Sequence, residues 1–157
     1  MPNVSLRAQW PLLLLFVAVV IGIGFFVGLV SAPGPWFDGL AKPDAFIVPD
    51  WLSGLVWLLL CFAFAVAGWR LWLQDSASVE TRLWLAILIV SWWFSPTFFV
   101  ARMPWAAFVV IAFLALLMIA FIVRTWHRER LSAWLFVPCA AWVAYAAVIT
   151  GWIAALN

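Results

Sequence analysis

Residues 11–33 read PLLLLFVAVVIGIGFFVGLVSAP, a run without a charged side chain. A helix needs about 20 apolar residues to cross a hydrocarbon core of about 30 Å, so this run is long enough to span a membrane. It is also longer than the apolar region of a secretory signal peptide, which has about 7–15 residues. The run therefore predicts a retained transmembrane helix, although Val30-Ser31-Ala32 at its end resembles a small-residue cleavage site.

Four more runs of the same kind follow along the chain. The composition is 69% hydrophobic and only 9% charged, whereas a soluble domain carries about 25% charged residues. Lipid cannot hydrogen-bond to the backbone, so spanning segments must be helices or closed barrels, and these runs lack the alternating pattern of barrel strands. The predicted spans are 11–33, 51–73, 83–101, 103–124 and 131–155.

The links between the later spans are short, which favours antiparallel neighbours. We therefore expect an all-α integral membrane protein, a five-transmembrane-helix bundle that forms one domain over residues 1–157. Six arginines fall on the side of the N-terminus, against Lys42 and Arg102 on the other side. The six are Arg7, Arg70, Arg82, Arg124, Arg128 and Arg130. The positive-inside rule then places the N-terminus in the cytoplasm and the C-terminus outside. This orientation assumes ordinary insertion into an inner membrane, and we expect a multi-pass protein of a bacterial cell membrane.

Tryptophan is the most unusual feature of the composition, with 14 residues in the chain. Eight lie near span ends and are interpreted as membrane-interface anchors: Trp10, Trp69, Trp72, Trp84, Trp105, Trp126, Trp134 and Trp152. Four lie deep inside spans, where an indole N–H finds no headgroup: Trp57, Trp92, Trp93 and Trp142. Their helix faces either pack against each other or line an aromatic pocket for a flat apolar ligand.

The loop 34–50, GPWFDGLAKPDAFIVPD, is the most polar stretch between two spans. Its prolines stiffen it, and Trp36 and Trp51 are able to lie over the open end of the bundle. Three aspartates would keep its outer face in water: Asp38, Asp44 and Asp50. We interpret this loop as a lid.

Side chains for hydrolytic or metal chemistry are missing from the spans. There is no carboxylate pair, no Ser–His–Asp set and no metal-ligand spacing, and the only histidine, His127, lies in a loop. Cys61 and Cys139 fall in apolar runs and are interpreted as small hydrophobic residues. The scattered basic residues exclude a nucleic-acid surface.

Three stretches together resemble the TspO/MBR family, the tryptophan-rich sensory proteins related to the mitochondrial translocator. Residues 36–43 read WFDGLAKP, followed by Pro49, Trp51 and Trp57; residues 91–99 read SWWFSPTFF; and residues 136–142 read FVPCAAW. The chain departs from the family pattern in four places. The loop has one extra residue between Lys42 and Trp57, and Asp44, Ala45, Ile47 and Val48 replace its usual second proline and aromatic residues. Ser91 replaces an Asn, Phe94 replaces a Trp, and Thr150-Gly151 replaces a Leu-Asn pair.

The resemblance implies a homodimeric five-helix protein that binds porphyrins, such as protoporphyrin IX or a haem-like molecule, or sterols, with no obligatory cofactor. It implies a sensor that regulates tetrapyrrole or carotenoid metabolism, or a carrier that moves the ligand. The alternatives are a light-dependent porphyrin-degrading enzyme and an accessory subunit of a larger membrane complex. For that subunit, the small-residue face of Gly24 and Gly28, with Gly22 nearby, would contact a partner, unless it packs within the bundle.

By the same resemblance, Trp57 and Trp142 correspond to the two tryptophans that line the family's pocket. Lys42 and Arg102 are the basic residues on the lid side, where porphyrin propionates would need partners. The expected ligand-binding residues are Trp36, Trp51, Trp57, Ser91, Phe94, Pro96, Phe98, Trp142 and Tyr145.

Overall fold

The computed structural model describes residues 6–42 and 48–157, and these residues form helices without a strand. We number the α-helices in chain order. They are α1 (Leu6–Val30), α2 (Pro35–Asp38), α3 (Asp50–Gln74), α4 (Val79–Ser95), α5 (Pro104–Thr125) and α6 (Arg130–Leu156). A π-helical turn, Pro96–Val100, continues directly from α4.

Among the described residues, five helices are long and apolar enough to cross a membrane, which confirms the predicted all-α membrane fold. The candidate spans are Gln9–Val30, Trp51–Gln74, Val79–Val100, Pro104–Thr125 and Arg130–Leu156. The orientation of the termini relative to the two sides of the membrane stays a prediction.

The third membrane-spanning helix, α4, begins earlier than its apolar pattern suggested. Glu80 and Arg82 had placed the start of the span at residue 83, but α4 begins at Val79. Ser78 is its N-cap, because the Ser78 hydroxyl accepts a hydrogen bond from the Thr81 N–H at 3.2 Å. A capped polar turn therefore extends the helix beyond its apolar stretch.

The π-helical turn at the end of α4 is explained by Pro96. Proline has no N–H and its ring clashes with the preceding turn, so the regular hydrogen-bond pattern cannot continue through it. The carbonyl of Pro96 instead accepts from the Ala101 N–H at 2.9 Å, which is the wide π spacing. This turn carries Phe98 and Phe99.

The five long helices pack in the ring order α1, α3, α6, α5 and α4, and α4 also contacts α3 and α1. At the centre, Phe136 of α6 lies between Phe64 of α3 and Phe121 of α5, with ring centroids 4.5 Å and 4.1 Å away. Phe121 and Phe136 are fully buried. Aromatic packing of this kind joins three helices in one core.

Trp84 corrects one of the interpretations made from the sequence. We predicted an interface anchor, but Trp84 is only 3% exposed and belongs to the core. Its indole N–H donates to the carbonyl of Phe64 at 3.0 Å, so the buried polar group has a partner. The ring occupies the space that Gly68 of α3 leaves open.

The two ends of the bundle carry different polar contacts. At one end, Asn157 after α6 bonds to Ala41 of the loop between α1 and α3, and we call this the lid end. At the other end, Arg70 pairs with Glu129 at 2.7 Å, and we call this the ionic end. Since α3 runs from the lid end to the ionic end and α6 runs back, these two neighbours are antiparallel.

Candidate ligand-binding site

The loop before α3 packs its aromatic side chains onto the end of α4. Trp36 and Phe37 of α2 lie with their ring centroids 5.9 Å and 6.0 Å from that of Phe98. Phe37 also contacts Phe99, at 5.3 Å between ring centroids. We call this group, Trp36, Phe37, Phe98 and Phe99, the lid cluster.

Four of the predicted site residues lie in or beside this cluster. Phe94 stacks on Phe98 at 6.1 Å between centroids, and Trp36 contacts the same ring from the loop. Pro96, also predicted, begins the turn that carries Phe98. Phe98 is 3% exposed, so these contacts cover the ring almost completely.

Trp57 lies at the seam between α1 and α3. A Cβ atom built on Gly24 would lie 2.8 Å from Cζ2 of Trp57 and 3.8 Å from Sγ of Cys61. The indole can therefore approach α1 only because residue 24 has no side chain. Trp57 remains 37% exposed, so much of its ring surface is still open.

The small-residue face of α1 thus divides into two parts. Gly24 packs against Trp57 inside the bundle. Packing within the bundle was one of the two interpretations of this face. At Gly22 and Gly28, a Cβ atom would meet nothing within 4 Å. These two glycines have no packing role among the described residues.

We expect Gly24→Ala to displace the Trp57 indole, whereas Gly22→Ala and Gly28→Ala leave it in place. The new methyl group at residue 24 would overlap the ring, and the space at residues 22 and 28 is open. Each variant adds one methyl group to α1, so Gly22→Ala and Gly28→Ala are matched controls for Gly24→Ala. The Trp57 indole N–H resonance is followed by NMR in the otherwise unchanged protein and is assigned with Trp57→Phe. A Gly24→Ala spectrum equal to that of Gly22→Ala would contradict the contact.

Trp142 and Tyr145 form a ring pair on α6, with centroids 5.5 Å apart and both side chains half-buried. The contact of Phe64 with Phe136 fixes the register between α3 and α6. Trp57 lies two turns from Phe64 and Trp142 lies about two turns from Phe136, both in the direction of the lid end. The antiparallel register therefore places the two indoles at similar depth.

The remaining predicted residues make other contacts. The Ser91 hydroxyl donates to the Leu88 carbonyl at 2.7 Å, within its own helix. Trp51, in the first turn of α3, is 71% exposed, so most of its indole surface stays open. Asp44 lies outside the described residues, as does the rest of the segment 43–47, and the closure of the lid there stays a prediction.

Basic groups also lie at the lid end. The ammonium of Lys42 lies 4.0 Å above the centroid of the Phe37 ring, a cation–π contact that holds it against the lid cluster. Arg102 follows the π-helical turn with a φ of 56° and is exposed. A left-handed backbone at a non-glycine residue is strained, and strain of this kind is found at functional positions.

Several contact residues were not singled out from the sequence. Phe37 and Phe99 were read only as parts of motifs, although both belong to the lid cluster. Asn157 was not considered, although it makes the hydrogen bonds between α6 and the lid loop. The sequence feature that could have indicated this contact is a side-chain amide directly after a long apolar helix.

The ionic end carries a cavity of about 320 Å³. It is lined by Leu71, Gln74, Asp75, Ser78, Glu80 and Arg128. The Glu80 carboxylate accepts from the Arg128 guanidinium at 3.1 Å. None of the predicted site residues lines this cavity, and it lies at the opposite end of the bundle from the lid cluster, so it is separate from the predicted site. Within residues 6–42 and 48–157, no three His, Cys, Asp or Glu side chains are grouped to hold a metal ion.

Comparison with known proteins identifies a family with similar sequences. Residues 16–156 match the model of the TspO/MBR family. Protein CrtK of Rhodobacter capsulatus is 27% identical over 134 residues, which are 83% of this chain and 83% of that protein. The tryptophan-rich protein TspO of Archaeoglobus fulgidus is 28% identical over 90% of this chain and 94% of its own length.

A human protein is similar as well. The human translocator protein is 30% identical over 131 residues, or 78% of this chain and 77% of the human protein. The family match covers four of the five spans completely and most of the first. The chain therefore belongs to the TspO/MBR family.

Proposed function

We propose that this protein binds a porphyrin-type tetrapyrrole, or another flat apolar molecule such as a sterol, between the helices towards the lid end. The observation that carries the proposal is the similar depth of Trp57 and Trp142 on neighbouring antiparallel helices. Planar apolar ligands stack on aromatic faces, and both indoles keep part of their ring surface uncovered. Membership of the TspO/MBR family supports the same ligand class.

The residues present offer a porphyrin surfaces on which it could stack. Trp57, Trp142 and Tyr145 offer ring faces, and the helix surfaces around them are apolar. The propionates of a porphyrin would find Lys42 and Arg102 at the lid end. In this proposal the bound pigment is a ligand and has no axial side chain from the protein.

The proposed role is that of a sensor that acts on tetrapyrrole or carotenoid metabolism, or of a carrier that moves the ligand, with the N-terminus in the cytoplasm. We further propose a homodimer. Only 6% of the α1 span is buried, against 22–28% of the other four spans, so α1 is the span that its neighbours cover least among the described residues. Cross-linking in native membranes separates a homodimer from an accessory subunit of a larger complex.

We expect Trp57→Ala and Trp142→Ala to weaken protoporphyrin IX binding by about tenfold each, because each loses a stacking face worth about 0.5–1.5 kcal/mol beyond its buried area. Binding is followed by the Soret absorbance of the protein in lipid nanodiscs. Trp93→Ala is the matched control, since Trp93 also lies inside a span but its side chain is 64% exposed and makes few contacts in the bundle.

Wild-type affinity in both Trp57→Ala and Trp142→Ala would contradict the proposed site. The same samples under illumination separate a binder from a light-dependent enzyme. Bleaching that needs Trp57 or Trp142 would favour degradation of the pigment, whereas a stable spectrum favours a sensor or carrier.

A further inference from the structure

The cavity at the ionic end has a polar wall that is fixed by hydrogen bonds between the end of α3 and the start of α4. The Thr81 hydroxyl donates to the Asp75 carbonyl at 2.8 Å, so the contact of 2.9 Å between the hydroxyls of Ser78 and Thr81 is a donation from Ser78. The Ser78 oxygen also accepts from the Thr81 N–H at 3.2 Å. The only hydroxyl proton of Ser78 is therefore engaged, and a ligand has to find its partners among the other lining residues.

Three lining residues have acceptor groups that the protein leaves largely unused. The Glu80 side chain is 6% exposed, yet among the described residues its carboxylate accepts a single hydrogen bond, from Arg128 at 3.1 Å, while Arg124 lies 3.8 Å away. Within residues 6–42 and 48–157, no donor is bonded to Oδ2 of Asp75 or to the Gln74 carboxamide. A carboxylate can accept about four hydrogen bonds, so the buried Glu80 can take up further donors from the cavity.

These acceptors stand beside a positively charged group of the same cavity, Arg128. Its guanidinium donates to Glu80 through one nitrogen and its side chain is 70% exposed, so the other N–H groups are able to bind a phosphate. A primary ammonium has three N–H donors, and Gln74, Asp75 and Glu80 supply acceptors for them. A molecule that carries an ammonium next to a phosphate would thus match both charges of the cavity. The cavity volume of about 320 Å³ lies at the lower end of small-molecule sites, which measure about 300–1,000 Å³.

The position of the cavity along the bundle corresponds to the lipid headgroups. Trp72 in the last turn of α3 is exposed, and the exposed Trp134 near the start of α6 packs on Trp126 at 5.3 Å between ring centroids. Exposed tryptophans at span ends lie at the membrane interface. The candidate spans on either side end at Gln74 and begin at Val79, and the link between them contributes to the cavity lining. The cavity therefore lies where a phospholipid headgroup can enter it.

We propose that this cavity binds the headgroup of a phosphatidylethanolamine lipid. The ammonium is bound by Gln74, Asp75 and Glu80, and the phosphate is bound by Arg128. A choline headgroup has no N–H donor for the three acceptors, and a glycerol headgroup has no positive charge for the two carboxylates. A metal ion suits the cavity less well, because the Arg128 guanidinium borders those carboxylates. The site shares no residue with the proposed porphyrin site, so the two proposals stand or fall separately.

The test is native mass spectrometry of the full-length protein in detergent, with ethanolamine, choline and glycerol phospholipids that have the same acyl chains. We expect wild type to bind the ethanolamine lipid about tenfold more tightly than the choline lipid, because the charge-assisted hydrogen bonds of the ammonium are missing in the latter. Asp75→Asn can keep the bond from the Ala77 N–H to Oδ1 and removes the charge, so it should lose most of this preference. Asp38→Asn is the matched control, because it makes the same change at an exposed residue of the lid end.

Arg128→Gln tests the other half of the site and removes an exposed side chain whose loss the fold should tolerate. It should weaken binding of the ethanolamine and glycerol lipids alike, since both carry the phosphate, whereas Asp75→Asn should weaken only the former. Equal binding of the ethanolamine and choline lipids by wild type overturns the proposal, and so does an unchanged preference in Asp75→Asn. Soluble phosphoethanolamine that binds as tightly as the lipid would assign the cavity to a free small molecule and overturn the lipid.

Discussion

Gly68→Ala is expected to lower the free energy of unfolding by about 3 kcal/mol or more, or to prevent the protein from accumulating. A Cβ atom at residue 68 would overlap the six-membered ring of Trp84. That ring cannot move away, since Trp84 is 3% exposed and its N–H is bonded to the Phe64 carbonyl at 3.0 Å. Overpacking a rigid core costs about 1–3 kcal/mol, and a lost buried hydrogen bond adds about 1–3 kcal/mol.

The measurement is thermal unfolding in detergent, followed by circular dichroism and by size-exclusion of the heated sample. Gly54→Ala is the matched control, because it makes the same change in the same helix at a position with nothing within 4 Å. Trp84→Leu combined with Gly68→Ala should lose less stability than the two single changes together. A Gly68→Ala protein as stable as Gly54→Ala would contradict the close contact between α3 and α4.

The fold was predictable because membrane spans are specified by length and composition. Five apolar runs separated by polar links leave a helical bundle as the available solution in lipid. The boundaries were less accurate where a polar cap extends a helix. The start of α4 at Val79 depends on the bond between Ser78 and Thr81, which hydropathy does not detect.

The partners of individual side chains were harder to predict, because they depend on the register between helices. Gly68 of α3 packs on Trp84 of α4, and the pattern of neither helix indicates the other residue as its partner. Trp84 lies near a span end in sequence and at the centre of the bundle in space. Distance from a span end therefore did not separate interface tryptophans from core tryptophans.

Long-range polar contacts could not be predicted from the sequence for a related reason. Asn157 and Ala41 are 116 residues apart, and Arg70 and Glu129 are 59 residues apart. The arginines at the ionic end had been counted only for their side of the membrane, and its glutamates had not been interpreted. The aromatic motifs were more informative, because Trp36, Phe94 and Phe98 do come together. The motifs that contain these residues had been recognised together. The residues come into contact because the lid loop packs onto the end of α4.

Glu129→Gln is expected to lower the free energy of unfolding by about 2–4 kcal/mol, because it leaves a partly buried guanidinium without its charge partner. Glu129 accepts two bonds from Arg70, at 2.7 Å and 3.0 Å, and caps α6 through the Ser132 N–H at 2.9 Å. Its side chain is 7% exposed and that of Arg70 is 35% exposed, so water screens the pair only from one side. Chemical unfolding in detergent at pH 7 measures the loss.

Lowering the pH should weaken the ion pair between Arg70 and Glu129 in the wild-type protein. The hydrogen bonds from Arg70, followed by those from Ser132, lower the pKa of Glu129 from 4.5 to about 2 despite its burial. A carboxyl group with a depressed pKa stabilises the folded state fully above its unfolded value, and this contribution is lost as the pH falls from about 4.5 towards 2. Gln cannot titrate, so the stability difference between wild type and Glu129→Gln should shrink over that pH range. A difference that stays constant from pH 6 to pH 2.5 would show that the pair does not hold the ionic end together through charge.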